Sequence, residues 1–216
     1  MRRVTATPSA IEVAPVLELG HPALRATCAP VGPLDALAAS ERAQLDADAA
    51  RLQSTLGAFR AAHGFGRAIA APQIGVLRRM VAMDLGAAAY PDGGPAGLGK
   101  PGPLLLLDPE LKWRSADTFT LWDDCMSFPW LLVRVRRHAS VSLRFRDGAG
   151  VERRWERVPR ALAELLQHEL DHLDGVLALD RAEPAAPGVD AVIARGAFEA
   201  DRARFRAQVD SAIGEE

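Results

Sequence analysis

Cysteine is scarce in this chain. Two residues in 216, Cys28 and Cys125, are too few for a disulfide framework, so each thiol is expected to be buried, reactive or metal-bound. Excess charge is also lacking: 26 Lys and Arg against 28 Asp and Glu leave a net charge of −2. That balance argues against a nucleic-acid binder working through bulk positive charge. There is no run of roughly 18 or more apolar residues, and the opening stretch MRRVTATPSAIEVAP carries charge without an apolar core or a small-residue cleavage site. The expectation is a cytoplasmic protein with no membrane partner. Repeats and heptads are absent too. What is present is ordinary, 49% hydrophobic and 25% charged residues, and a chain of this length buries roughly 70% of its unfolded surface in one domain, 1–216.

Periodicity organises the chain. Leu45, Leu52, Leu56 and Phe59 recur at helical spacing between about 35 and 62, and Gly64 and Gly66 end that N-terminal helix. A turn-rich run, 64–75, precedes a strand over 76–83, and residues 86–103, dominated by Gly, Pro and Ala, read as a flexible surface loop. A short buried strand follows at 104–107, bounded by Pro109. Alternation over 133–158, with Asp147-Gly148 at a turn, predicts a hairpin solvated on one face. A helix is expected over 159–176, and a last surface helix over about 189–213, within a C-terminal helical extension 182–216.

The 159–176 helix carries the chemistry. Leu162, Leu165, Leu166, Leu170 and Leu173 fall on one broad arc at 100° per residue, and Glu169 falls inside it. A carboxylate in an apolar face costs several kcal/mol unless it is paired, protonated or put to use. His168 and His172 border the arc one turn apart, where two imidazoles can point at one ion. His168-Glu169-Leu170-Asp171-His172 matches H-E-x-x-H: two metal ligands with a general base between them. Two His leave the site incomplete, since a catalytic centre of this kind wants a third protein ligand and an open position.

The string Gln167 to Gly175, with Leu177 and Asp180-Arg181, closely resembles peptide deformylase. Two upstream motifs extend the resemblance. Gly66-Arg67-Ala68-Ile69-Ala70-Ala71-Pro72-Gln73-Ile74-Gly75 stands for G-x-G-x-A-A-x-Q-x-G, and Asp123-Asp124-Cys125-Met126-Ser127 stands for E-G-C-L-S. The resemblance implies an α+β fold with antiparallel sheets packed around the H-E-x-x-H helix, as the mixed periodicities also suggest. It implies hydrolysis of an N-formyl group from formyl-methionyl peptides or nascent chains, with transient ribosome contact. By family, Cys125, His168 and His172 hold one divalent ion, Fe(II) first, with Zn, Ni or Co able to substitute. Glu169 is then the general base and acid, and the Gln73 amide with the Met126 backbone N–H receives the oxyanion. Cys28 is left as a buried, inert thiol.

The departures concentrate around the substrate. Gly66, Arg67, Ala68, Asp123, Glu164 and Leu165 are the expected substrate-lining residues, yet Arg67 stands where the family has a small apolar residue, and Ala68 replaces a glycine. Asp123 and Asp124 replace Glu and Gly, and Asp124 is expected to add negative charge beside the thiolate. Glu164 occupies a position that in the family helps line an apolar pocket for methionine. Three arrangements are open: pairing of Glu164 with Arg67, binding of a polar substrate group by either, or a solvent-facing Glu164. Two other readings compete, a zincin-like protease, which has no use for Cys125 or Gln73, and a deformylase-like protein that binds metal or formyl-peptide without hydrolysis.

Overall fold

Helix α1, Ala39–His63, ends on Gly64, whose φ of 75° supplies the left-handed cap that closes a helix. The structure, a computed structural model, describes residues 12–85 and 103–211. The loop expected over 86–103 therefore lies outside the described residues except for Pro103. Strands β1 (Ala68–Ala70), β2 (Met80–Met83), β3 (Leu104–Arg114), β4 (Thr118–Asp123), β5 (Leu131–His138), β6 (Val141–Arg146) and β7 (Glu152–Trp155) lead to helix α2, Arg160–Leu173. Strand β8 (Val192–Ala194) and two short helices, α3 (Arg195–Ala200) and α4 (Arg202–Arg206), follow. Among the described residues, all pairings between these strands are antiparallel. They build a five-stranded sheet, β1-β2-β3-β6-β7, and a three-stranded sheet, β4-β5-β8.

The larger sheet has a helix on each face near β1 and β2. Ile69, Met80 and Ala82 pack toward Leu52, Leu56 and Phe59 of α1, while Ala70, Val81 and Met83 pack toward Leu162, Leu166 and Leu170 of α2. Every residue of β1 and β2 is therefore buried, which is why these strands show no alternation. Helix α2 is buried all round from Leu162 to Leu173, so most of its polar residues are paired rather than solvated. Gln167, for example, accepts from the His138 N–H at 3.0 Å and donates to the His138 carbonyl at 3.0 Å.

Several sequence expectations change. The strand over 76–83 shortens to β2, and the turn-rich run 64–75 contains β1, in which two alanines flank the one strong strand former, Ile69. Strand β3 continues past Pro109 because a bulge between Leu107 and Glu110 accommodates the proline. Asp108 holds that bulge at φ 48°, its carboxylate accepting the Val31 and Gly32 N–H groups at 2.7 and 3.0 Å. The 133–158 pattern divides between the sheets: β5 pairs with β4 and β8, whereas β6 and β7 form the hairpin around Asp147. The C-terminal helix expected over 189–213 is instead β8, α3 and α4. Phe205 is buried there, edge-on to Trp122 at 5.7 Å, so this segment contributes core rather than only surface. Among the described residues no helix is long and apolar enough to cross a membrane.

Candidate active site

Cys125 leaves the end of β4, and α2 brings His168 and His172 to it one turn apart. Their ligand atoms lie within 4.8 Å of one another, and all three residues are buried. Cys125 Sγ is 3.3 Å from His172 Nε2, which is 3.2 Å from His168 Nε2. Tetrahedral edges for a zinc-like ion are about 3.4 Å between nitrogens and about 3.6 Å from nitrogen to sulfur, given bonds of about 2.05 and 2.3 Å. The group therefore fits a small divalent ion.

Electrostatics point the same way. Burial alone would lower His168, but Asp123 outweighs it and holds His168 well above its ordinary value. Burial, together with the His168 charge, holds His172 well below. Two imidazoles facing each other at this distance want one positive charge between them, which a proton or a metal ion supplies.

A network of charge fixes His168. Asp123 Oδ2 is 3.0 Å from His168 Nδ1, which leaves Nε2 for the ion. Arg137, itself 3% exposed, donates to Asp123 at 3.0 Å and to Asp171 at 2.5 Å. Arg181 grips Asp171 with two bonds of 2.6 Å. Burial opposes ionisation of Asp123, yet His168 and Arg137 hold its carboxyl well below the usual range. Gly175 belongs to this frame: at φ 74° it leaves no room for a Cβ, which would sit 2.6 Å from the Arg25 carbonyl oxygen.

Arg137 is the functional residue that sequence reasoning missed. Its signal is positional, because it continues the Val133, Val135 register into the core, where a lone arginine requires a carboxylate partner. Asp123, expected to line the substrate cavity, does so, but its bonds to His168 and Arg137 also make it a positioning residue.

A cavity of about 250 Å³ opens beside this group, bordered by Gly66, Arg67, Ala68, Gln73, Asp123, Met126, Glu164, Leu165, His168 and Glu169. All six expected substrate-lining residues are thus brought together. Glu169 is 3% exposed and its Oε2 has no hydrogen-bond partner. Burial pushes its carboxyl up to about 7, against the pull of His168. Gln73 is anchored by the Ala70 N–H at 2.8 Å and turns its amide nitrogen toward Ser127 Oγ at 3.2 Å and Cys125 Sγ at 3.8 Å.

Glu164 does not face solvent. It pairs with Arg67 across the cavity wall. Asp124 also lines the cavity and pairs with Arg195 of α3 at 3.1 Å, so the carboxylate expected to add negative charge beside the thiolate has a cation partner. Cys28 lies apart in the apolar core around α2, and burial pushes its thiol up to about 11, with Arg79 opposing.

The family model for polypeptide deformylase matches residues 13–187. The peptide deformylase of Thermotoga neapolitana is 35% identical over 125 residues, 57% of this chain and 66% of its own length. Peptide deformylase 2 of Gloeobacter violaceus is 37% identical over 131 residues, 61% of this chain and 64% of its own. The chain thus spans less than two thirds of the length of these curated relatives. Among solved structures, the peptide deformylase of Thermotoga maritima superposes with a TM-score of 0.62 at 26% identity, covering 80% of this chain and 99% of that one. That of Synechococcus elongatus, in complex with actinonin, gives 0.62 at 25% identity, covering 82% and 88%. Carried by a match over most of its length and by a Cys, His, His group beside a buried glutamate, this chain belongs to the polypeptide deformylase family.

Proposed function

We propose that this chain hydrolyses the N-formyl group of a formylated peptide, releasing formate and a free amine. The observation that carries the reading is Glu169, a buried carboxyl with an unpartnered oxygen, pushed up to about 7 by burial and set on the wall of the cavity beside the Cys125, His168 and His172 group. A protein that only bound metal or peptide would have no use for that cost. A zincin-like protease would have no use for Cys125 or Gln73.

Cys125, His168 and His172 are the ligands in this reading. One thiolate and two imidazoles suit Fe(II), with Zn, Ni or Co as substitutes. A divalent ion held there supplies Lewis acidity, which acidifies a water and polarises the formyl carbonyl. Glu169 takes the proton of the attacking water and then delivers it to the departing nitrogen, a transfer suited to a group titrating near neutrality. The Gln73 amide and the Met126 backbone N–H donate to the oxygen that becomes negative at the tetrahedral carbon. Gly66 borders the cavity at φ 110°, a backbone conformation that residues with a side chain rarely adopt. Residues 1–216 act as one catalytic domain in the cytoplasm, and a nascent-chain substrate would bring it transiently to the ribosome.

Formate release from formyl-peptides by metal-loaded protein tests the reading. Chelation should abolish the activity and added Fe(II) should restore it, while actinonin, which the Synechococcus elongatus relative binds, should inhibit. Absence of formate with every one of these metals would overturn the proposal.

A further inference from the structure

Arg67 and Glu164 meet across the wall of the cavity that also holds Glu169 and Gln73. The Glu164 side chain is 7% exposed and that of Arg67 is 33% exposed. Arg67 also donates to the Ala161 carbonyl at 3.0 Å, so its head is anchored at two points on α2. A guanidinium has five N–H donors, and these two anchors leave several over.

The wall beside the reacting atoms is therefore an ion pair of zero net charge with hydrogen-bonding capacity to spare. An apolar side chain lying on it would strip water from those donors and from the carboxylate without replacing any bond. A cationic side chain would meet Arg67, and an anionic one would meet Glu164 with Asp123 and Asp124 close by, the last already paired with Arg195. A neutral side chain that both accepts and donates matches the pair, accepting from Arg67 and donating to Glu164. Glutamine has that chemistry at the length of methionine.

We infer that the Arg67–Glu164 pair sets substrate choice at this site, favouring formylated substrates whose first side chain is neutral and hydrogen-bonding, a primary amide above all, over those with an apolar side chain. The inference rests on the deformylase reading and names its substrate class.

The test is kcat/KM of the metal-loaded protein for matched tripeptides beginning with formyl-Gln, formyl-Met, formyl-norleucine, formyl-Glu and formyl-Lys. Formyl-Gln should exceed formyl-norleucine by about tenfold or more, with both charged peptides below it, because a site built for hydrogen bonds discriminates strongly against analogues that lack them. Arg67→Leu combined with Glu164→Leu should reverse the order in favour of formyl-Met and formyl-norleucine. Should the double variant not fold, Glu164→Gln, which keeps the shape of the wall, should still lower the Gln-to-norleucine ratio. Equal or better turnover of formyl-Met or formyl-norleucine by the unmodified protein would overturn the inference and leave deformylation standing. Absence of formate from every peptide would overturn both.

Discussion

Toward the C-terminal end of α2, Arg137 lies 3% exposed between two carboxylates, Asp123 and Asp171, and Arg181 closes the set from outside. Two turns nearer its N-terminus, on the same face, Arg67 is a third exposed and meets a single carboxylate, Glu164, at the cavity wall. Both sets use the same chemistry, arginine against buried acid, yet their surroundings differ. The first spends its bonds within the protein and ends on a ring nitrogen of His168, so it fixes a ligand in place. The second keeps hydrogen-bonding capacity open to a space large enough for a side chain. The buried network orients a ligand, the one at the cavity wall faces the space a substrate would fill, and Glu169 lies between their anchor points along the helix.

The largest expected effect isolates that middle position. Glu169→Ala should lower kcat by about 10³-fold, within the usual range for loss of a general acid–base group, while elemental analysis still finds one metal per chain. Activity within tenfold of the unmodified protein would remove Glu169 from the chemistry and leave only the two flanking networks to explain the cavity. Next in size is Asp123→Asn. It should weaken metal affinity about 10- to 100-fold in chelator competition, because His168 loses the partner that orients it. Denaturant unfolding should show a loss of about 3–5 kcal/mol, since Arg137 keeps a buried charge with one carboxylate fewer. Affinity within twofold would mean that the network supports the fold and not the ligand.

The ligand side was far more legible in the sequence than the network beneath it. His168, Glu169 and His172 announce themselves by spacing, and the positions of Cys125 and Gln73 follow from the motifs around them. Helix α2 was readable because its apolar arc is nearly unbroken, although the same arc hid that the helix is buried on every side. Arg137 was not legible as a site residue because, although it falls on the register of Val133 and Val135, the carboxylates that pair with it come from β4 and α2, far away in the chain. Strands β1 and β4 escaped because burial on both faces removes alternation, the signal on which strand reading depends. The C-terminal segment looked helical and polar, yet β8 finds an open edge of β5 and Phe205 finds Trp122. Those are tertiary opportunities that no local pattern encodes. The Arg67–Glu164 pair was one of several open arrangements, and only the position of α2 relative to β1 selects it.

The smallest expected effect bears most directly on the difference between the two networks. Glu164→Gln should change metal affinity by less than about twofold, since Glu164 holds no ligand. Its signature lies instead in the pH dependence of stability. Burial pushes the Glu164 carboxyl above its ordinary 4.5, Arg67 pulls it down and Asp123 pushes it further up, with a net upward shift. A carboxyl that holds its proton more tightly when folded contributes stability fully below its unfolded value, and that contribution is lost as pH rises through the folded value. Asp123, held below its ordinary 3.8, has the opposite sign: its contribution is present above the unfolded value and lost as pH falls. The stability of the unmodified protein minus that of Glu164→Gln, measured by denaturant unfolding, should therefore shrink from pH 4 toward neutrality. A difference that grew with pH would mean that Arg67 overcomes burial, making the cavity pair a locked network like that of Arg137 rather than a surface waiting for a ligand.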